Sequence, residues 1–182
     1  TLISRLMTGA SHPGSHPPDG AAGQGDATQS AARPERLKAF LKAEAERLGF
    51  CALAVTPARA APASRDRLAE FVALGRHGSM QWLAETLDRR ADPQALWPEA
   101  RSVIVLAMNY GPDCDPLEIL AQPGNASISV YARNRDYHDI IKGELKELAG
   151  KFASRAGGDV KVFVDTAPVL EKPLAQAAGL GW

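Results

Sequence analysis

The sequence predicts an α/β (α+β) sandwich in which a mixed sheet is flanked by helices and preceded by a disordered leader. Three observations carry that prediction. Two short, wholly apolar runs, FCALAV at 50–55 and SVIVLAMN at 102–109, have the length and composition of strands buried on both faces. Two longer segments, 34–48 and 136–156, set apolar residues at helical spacing among charges. Strand and helix patterns alternate along the chain with no repeat period, which excludes a solenoid.

The leader spans residues 1–33. From Thr8 to Ala32 it is rich in Gly, Pro, Ser and Ala and holds no large apolar residue, so it cannot bury enough surface to offset the entropy of ordering. Met7 reads as a start site, with residues 1–6 upstream of it. His12 and His16 are better explained as part of a solvated tail than as metal ligands. The ordered domain, 34–182, opens on a helix whose Leu37, Phe40, Leu41 and Leu48 share a face and which Gly49 stops. The apolar strand at 50–55 follows, ended by Thr56-Pro57. Ser64 and Ser79 are positioned to cap two further helices, and Asp92-Pro93 supplies an N-cap and a first-position proline for a short turn. After the strand at 102–109, residues 110–126 form a long loop with three prolines and two glycines. Ser127–Ala132 is a short strand candidate, 136–156 a long helix stopped by Gly157-Gly158, and Val160–Val164 a strand with Asp165 at its end. A short helix begins near Pro173.

Composition bounds the function. With 182 residues, 45% of them hydrophobic, the chain can build one ordinary core. Lys plus Arg equals Asp plus Glu at 21 each, so no global positive field draws in nucleic acid and any RNA contact is local. Cys51 and Cys114 lie far apart without a C-x-x-C pair, which argues against a disulfide framework or a self-contained cluster and fits a reducing cytoplasm. No apolar run reaches the roughly 20 residues of a membrane-spanning helix. The chain reads as a soluble monomer. It closes on the apolar Gly179-Leu180-Gly181-Trp182, as a fragment would.

The first candidate for chemistry is Asp165. An acid at the carboxyl end of a buried strand stands where open α/β sheets place ligands, and partial burial would move it toward proton donation. The alternative is a cap for the next turn. The densest polar cluster, Tyr131-Ala132-Arg133-Asn134-Arg135-Asp136-Tyr137-His138-Asp139, mixes cations, aromatics and a histidine at a helix mouth. It suits a phosphate, a polar cofactor edge or a stacked base, while Asp136 equally reads as the N-cap of the long helix. Arg89-Arg90 can clamp a carboxylate, amide or phosphate or simply be solvated, and His77 between glycines reads as a loop histidine. No P-loop, G-x-G-x-x-G, G-x-S-x-G or H-E-x-x-H occurs.

Four stretches, FVDTAPVLEKPLAQAAGLGW (163–182), YARNRDYH (131–138), DRRADP (88–93) and SVIVLAMNY (102–110), together resemble the N-terminal region of epoxyqueuosine reductases. The likeness covers residues 35–182. It implies an enzyme that converts epoxyqueuosine to queuosine at the wobble position of tRNA, using cobalamin and two [4Fe–4S] clusters fed by an electron donor. It implies further that Asp165 is the proton donor close to the cobalamin and that Arg90 and Ser129 line the cofactor, while Tyr131, Arg133 and Asp136 of the polar cluster are candidates for the same binding region. The family's cysteine-rich segment and tRNA-gripping repeats would follow Trp182, so the 182-residue polypeptide is expected to carry no cluster and no turnover by itself. Asn134 stands where the motif usually has glycine. Two other classes remain open from the sequence: a non-catalytic cobalamin- or tRNA-binding module, and a flavin reductase of nitroreductase-like architecture.

Overall fold

The structure, a computed structural model, describes residues 2–9, 26–59, 61–112, 114–115, 117–133 and 135–182. In chain order it comprises β1 (Leu2–Gly9), α1 (Asp26–Arg47), β2 (Ala52–Pro57), α2 (Pro62–Ala73), α3 (Gln81–Glu85), α4 (Leu87–Ala91), α5 (Pro93–Leu96), β3 (Ala100–Met108), α6 (Tyr137–Ala156), β4 (Asp159–Phe163) and α7 (Glu171–Ala177). Two 3-10 turns, Glu118–Ala121 and Val130–Ala132, lie between β3 and α6.

β3 organises the sandwich. Its side chains alternate across the sheet. Ile104 and Leu106 enter one core with Leu41, Leu48, Ile141, Leu145, Leu148 and Phe152 of α1, α6 and their flanks. Val103 and Val105 enter the other, with Trp97, Val169, Leu174 and Ala175. Helices thus cover both faces, which is why this strand reads as continuously apolar. Each fully buried Leu or Ile contributes roughly 1.5–3 kcal/mol. A charged cluster ties α1 to α6 at the surface: Lys151 Nζ lies 2.8 Å from Glu44 and 3.1 Å from Glu147, and Arg47 pairs with both glutamates.

The sandwich agrees with the sequence expectation, but the sheet is antiparallel rather than mixed. Its order is β2-β3-β1-β4, and all three ladders are antiparallel. The α6 crossover would set β3 and β4 side by side in parallel, and β1 occupies the place between them. Of the leader expected over 1–33, residues 2–9 are strand and residues from Asp26 onward are helix. LISRLMTG has enough apolar residues to serve as a strand, and α1 begins at Asp26 rather than Pro34. Residues 10–25, with His12 and His16, lie outside the described residues.

Four local expectations change as well. β2 is an edge strand with Val55 exposed, so its apolar run does not mark burial on both faces. The strand expected at Ser127–Ala132 does not form: residues 127–129 are irregular and Val130–Ala132 make a 3-10 turn, and Ile128 is 61% exposed with no strand alongside among the described residues. α2 starts on Ala61 with Pro62 in its first turn, and α3 on Met80, so neither Ser64 nor Ser79 is the cap. Asp92 and Asp136 do cap: their Oδ1 atoms accept from Gln94 N and His138 N, each at 2.9 Å. None of the described helices is long and apolar enough to cross a membrane.

Candidate active site

After β4 the chain passes from one core to the other. Val164 is buried against α1 and α6, Ala167 is buried with Val169 and Leu174 in the opposite layer, and Asp165 stands between them. Its φ is 51°, the one positive φ outside glycine among the described residues. A short polar side chain tolerates that left-handed backbone better than most. The carboxylate keeps 38% of its surface exposed, so it lies at the rim of the sheet rather than in the partial burial the sequence suggested. The strand-end rule for parallel sheets does not place it here, because the sheet is antiparallel.

Helix α6 brings its first turn to the same point. Tyr137 Oη donates to Asp165 Oδ2 at 2.6 Å. This bond, with partial burial and the nearby Asp136 and Glu171 charges, pushes the phenol up to about 12, so Tyr137 remains a donor. His138 stacks on Tyr137 with ring centroids 4.0 Å apart. Its Nδ1 is 2.8 Å from Asp136 Oδ1, and its Nε2 is 3.7 Å from Asp165 Oδ2. The backbone N–H of His138, and then its ring, hold the Asp136 carboxyl below the usual range.

From the opposite layer comes Arg90. Its Nε donates to Thr86 Oγ1 at 2.9 Å, Thr86 Oγ1 donates to Trp82 O at 2.6 Å, and the guanidinium lies 4.6 Å over the Trp82 ring. Partial burial pulls this guanidinium down from its usual value, opposed by the Glu171 carboxylate. Arg89 is exposed, so the two arginines of the pair have different surroundings.

Arg90 and Asp165 border one cleft of about 380 Å³, with Glu171, Lys172 and Trp182. Tyr131 and Arg133 border a neighbouring cleft of about 320 Å³ with Tyr110, Arg135 and Tyr137. Tyr137 links the two by bonding to Asp165. Arg133 Nε donates to Ile128 O at 3.0 Å, which fixes the 3-10 turn. Ser129 precedes that turn, is exposed, and lines neither cleft, its carbonyl accepting from Ala132 N at 2.9 Å. Asp136 is exposed and acts through His138. Tyr137 and His138 lie inside the polar cluster of the sequence but are not among the candidate residues that the sequence offers. Their position directly after a cap was the available signal, but nothing local tells which of them turns toward a loop 28 residues away. Among the described residues no group of three or more His, Cys, Asp or Glu side chains is arranged to hold a metal ion.

Residues 90–166 match the family model described as "Epoxyqueuosine reductase QueG, DUF1730". The chain is 39% identical over 150 residues to the epoxyqueuosine reductase of Cellulophaga algicola, covering 81% of this chain and 47% of the relative. It is 36% identical over 151 residues to that of Pseudomonas aeruginosa, covering 82% and 42%. It thus spans less than half the length of these curated relatives. The fold matches that of the Streptococcus thermophilus epoxyqueuosine reductase with a TM-score of 0.62 at 23% identity, over 80% of this chain and 39% of the other. It also matches an epoxyqueuosine reductase solved with an epoxyqueuosine-modified tRNA-Tyr stem loop, with a TM-score of 0.65 at 23% identity over 81% of this chain and 39% of the other. Over the length it shares with them, the chain is similar to the epoxyqueuosine reductases.

Proposed function

We propose that the chain takes part in the reduction of epoxyqueuosine to queuosine at the wobble position of cytoplasmic tRNA, the last step of queuosine biosynthesis, by supplying the acid and one wall of a cobalamin pocket. The observation that carries this reading is the Tyr137–Asp165 pair at the border of the cleft that Arg90 enters from the other layer. The overall change takes two electrons and two protons per epoxide and releases its oxygen as water. Asp165 gives a proton to the departing oxygen, and Tyr137 fixes the carboxylate by donating to Oδ2.

The residues fit a corrinoid as one wall. A guanidinium braced by Thr86 and Trp82 suits the amide-rich edge of such a cofactor, and the open cleft leaves room for a flat ring to be closed from its other side. Bound cobalamin supplies the reducing metal centre. Ser129, Tyr131, Arg133 and Asp136 belong to the proposed binding region, with the aromatic and cationic side chains of the second cleft suited to a stacked base. The tRNA-bound relative supports RNA as partner. Two cysteines are too few for the four thiolates of a [4Fe–4S] cluster, so the electrons from two clusters and their donor enter from outside residues 1–182.

Two measurements test the reading. The 182-residue chain incubated with hydroxocobalamin and dialysed is expected to retain corrinoid absorbance, and retention of flavin instead overturns the pocket assignment. The full product of the gene, expressed in a host that accumulates epoxyqueuosine, is expected to restore queuosine in digested tRNA. Persistence of the epoxide with that product overturns the function.

A further inference from the structure

We propose that His138 is the proton relay that recharges Asp165 between turnovers, and that Asp136 is the positioning residue that sets its tautomer. The proposal rests on the function assigned above and adds the route by which the acid regains its proton. Asp136, His138 and Asp165 form a line: Oδ1 of Asp136 is 2.8 Å from Nδ1, and Nε2 on the other side of the ring is 3.7 Å from Asp165 Oδ2.

The cap fixes this line. Asp136 Oδ1 accepts from the backbone N–H of His138 at 2.9 Å and from its ring, so the ionised carboxylate is anchored to the helix and the Nδ1 proton is committed to it. Nε2 is then the nitrogen that exchanges protons with Asp165. Stacking on Tyr137 holds the ring plane, and 41% exposure of the side chain gives it access to water. The charged groups that face it are Asp136 at the cap and Asp165 after β4, while Glu171 of α7 acts on the stacked Tyr137, and Arg133 and Arg135 border the cleft on the far side of that ring.

When Asp165 has given its proton to the departing oxygen, the N–H bond at Nε2 of the imidazolium breaks and an O–H bond forms on the Asp165 carboxylate. The carboxylate becomes the neutral acid, the imidazolium becomes neutral imidazole with its Nδ1 proton kept toward Asp136, and water returns a proton to Nε2. The 3.7 Å gap exceeds the roughly 2.6–3.2 Å of direct transfer, so Nε2 and Oδ2 draw together by a few tenths of an ångström for the proton to pass.

The His138→Gln variant of the full gene product, assayed for epoxide loss from a modified tRNA stem loop, separates recharging from structure. The first turnover is expected to keep the wild-type rate, while the steady-state rate falls at least about 10-fold, less than the roughly 10²–10⁴-fold contributed by a general acid, and added imidazole restores it. An unchanged steady state, or an equal loss in the first turnover, overturns the relay. Ring-nitrogen NMR of the 182-residue chain with labelled histidine gives a reading independent of activity. Asp165→Asn is expected to move the His138 Nε2 signal and Asp136→Asn the Nδ1 signal, and an Nε2 signal indifferent to Asp165 overturns the contact. Wild-type enzyme without epoxide loss defeats the assigned function itself; active wild type with an unaffected His138→Gln defeats the relay alone.

Discussion

Tyr137 and Asp165 are joined by a 2.6 Å hydrogen bond that ties the first turn of α6 to the loop after β4. Because the bond raises the phenol from 10.0 to about 12, the folded state holds this proton more tightly than the unfolded chain. Its stabilising contribution is present below pH 10 and is lost as the pH rises through about 12. Ultraviolet phenolate absorbance during alkaline titration is expected to show one late-ionising tyrosine, absent from Tyr137→Phe.

Asp165 combines the proposed acid role with an unusual backbone, and substitutions separate the two. Asn tolerates φ of 51°, so Asp165→Asn is expected to fold with wild-type stability while epoxide reduction falls roughly 10²–10⁴-fold. A β-branched residue here meets the steric cost of the left-handed region, so Asp165→Val is expected to lose about 1–2 kcal/mol in denaturant unfolding as well.

Arg90 is held by a planar stack on Trp82 and by a bond from Nε to Thr86, and a lysine reproduces neither. Arg90→Lys is therefore expected to weaken hydroxocobalamin retention about tenfold, equivalent to about 1.4 kcal/mol, measured by equilibrium dialysis. Wild-type retention in Arg90→Lys would remove the arginine from the pocket wall.

Three stability measurements probe the scaffold. Asp136→Ala removes the α6 cap and is expected to cost about 1 kcal/mol in denaturant unfolding. Leu148 is fully buried where α6 meets the sheet, and Leu148→Ala is expected to cost about 2–5 kcal/mol. Lys151→Ala, despite two carboxylate partners on the surface, is expected to leave the unfolding midpoint unchanged.

What could be read beforehand follows the range of the interaction involved. β3, α6 and the caps at Asp92 and Asp136 were legible because periodicity and capping are local signals. The direction of the sheet was not, since β1 takes its partners from Ala100–Met108 and Asp159–Phe163, far along the chain. β2 misled for a related reason: an apolar run does not reveal whether a strand stands at an edge. At the site, Asp165 and Arg90 could be named from their motifs and do share a cleft. Tyr137 and His138 could not be selected, because their importance comes from the crossing of the chain between layers at Asp165, a tertiary fact.

The position of β1 also bears on how the protein is made. Thr8 lies in register with both Ser102 and Val160, so the strand synthesised first waits for partners that leave the ribosome late. Such distant pairings carry a large loop-closure cost and slow the search for the native state. Among the described residues β4 is the last strand of the sheet to emerge, and the turn bearing Asp165 follows it directly. The loop that carries Asp165 therefore meets the first turn of α6 only after the strands of this sheet have emerged, so the Tyr137–Asp165 bond forms late in assembly.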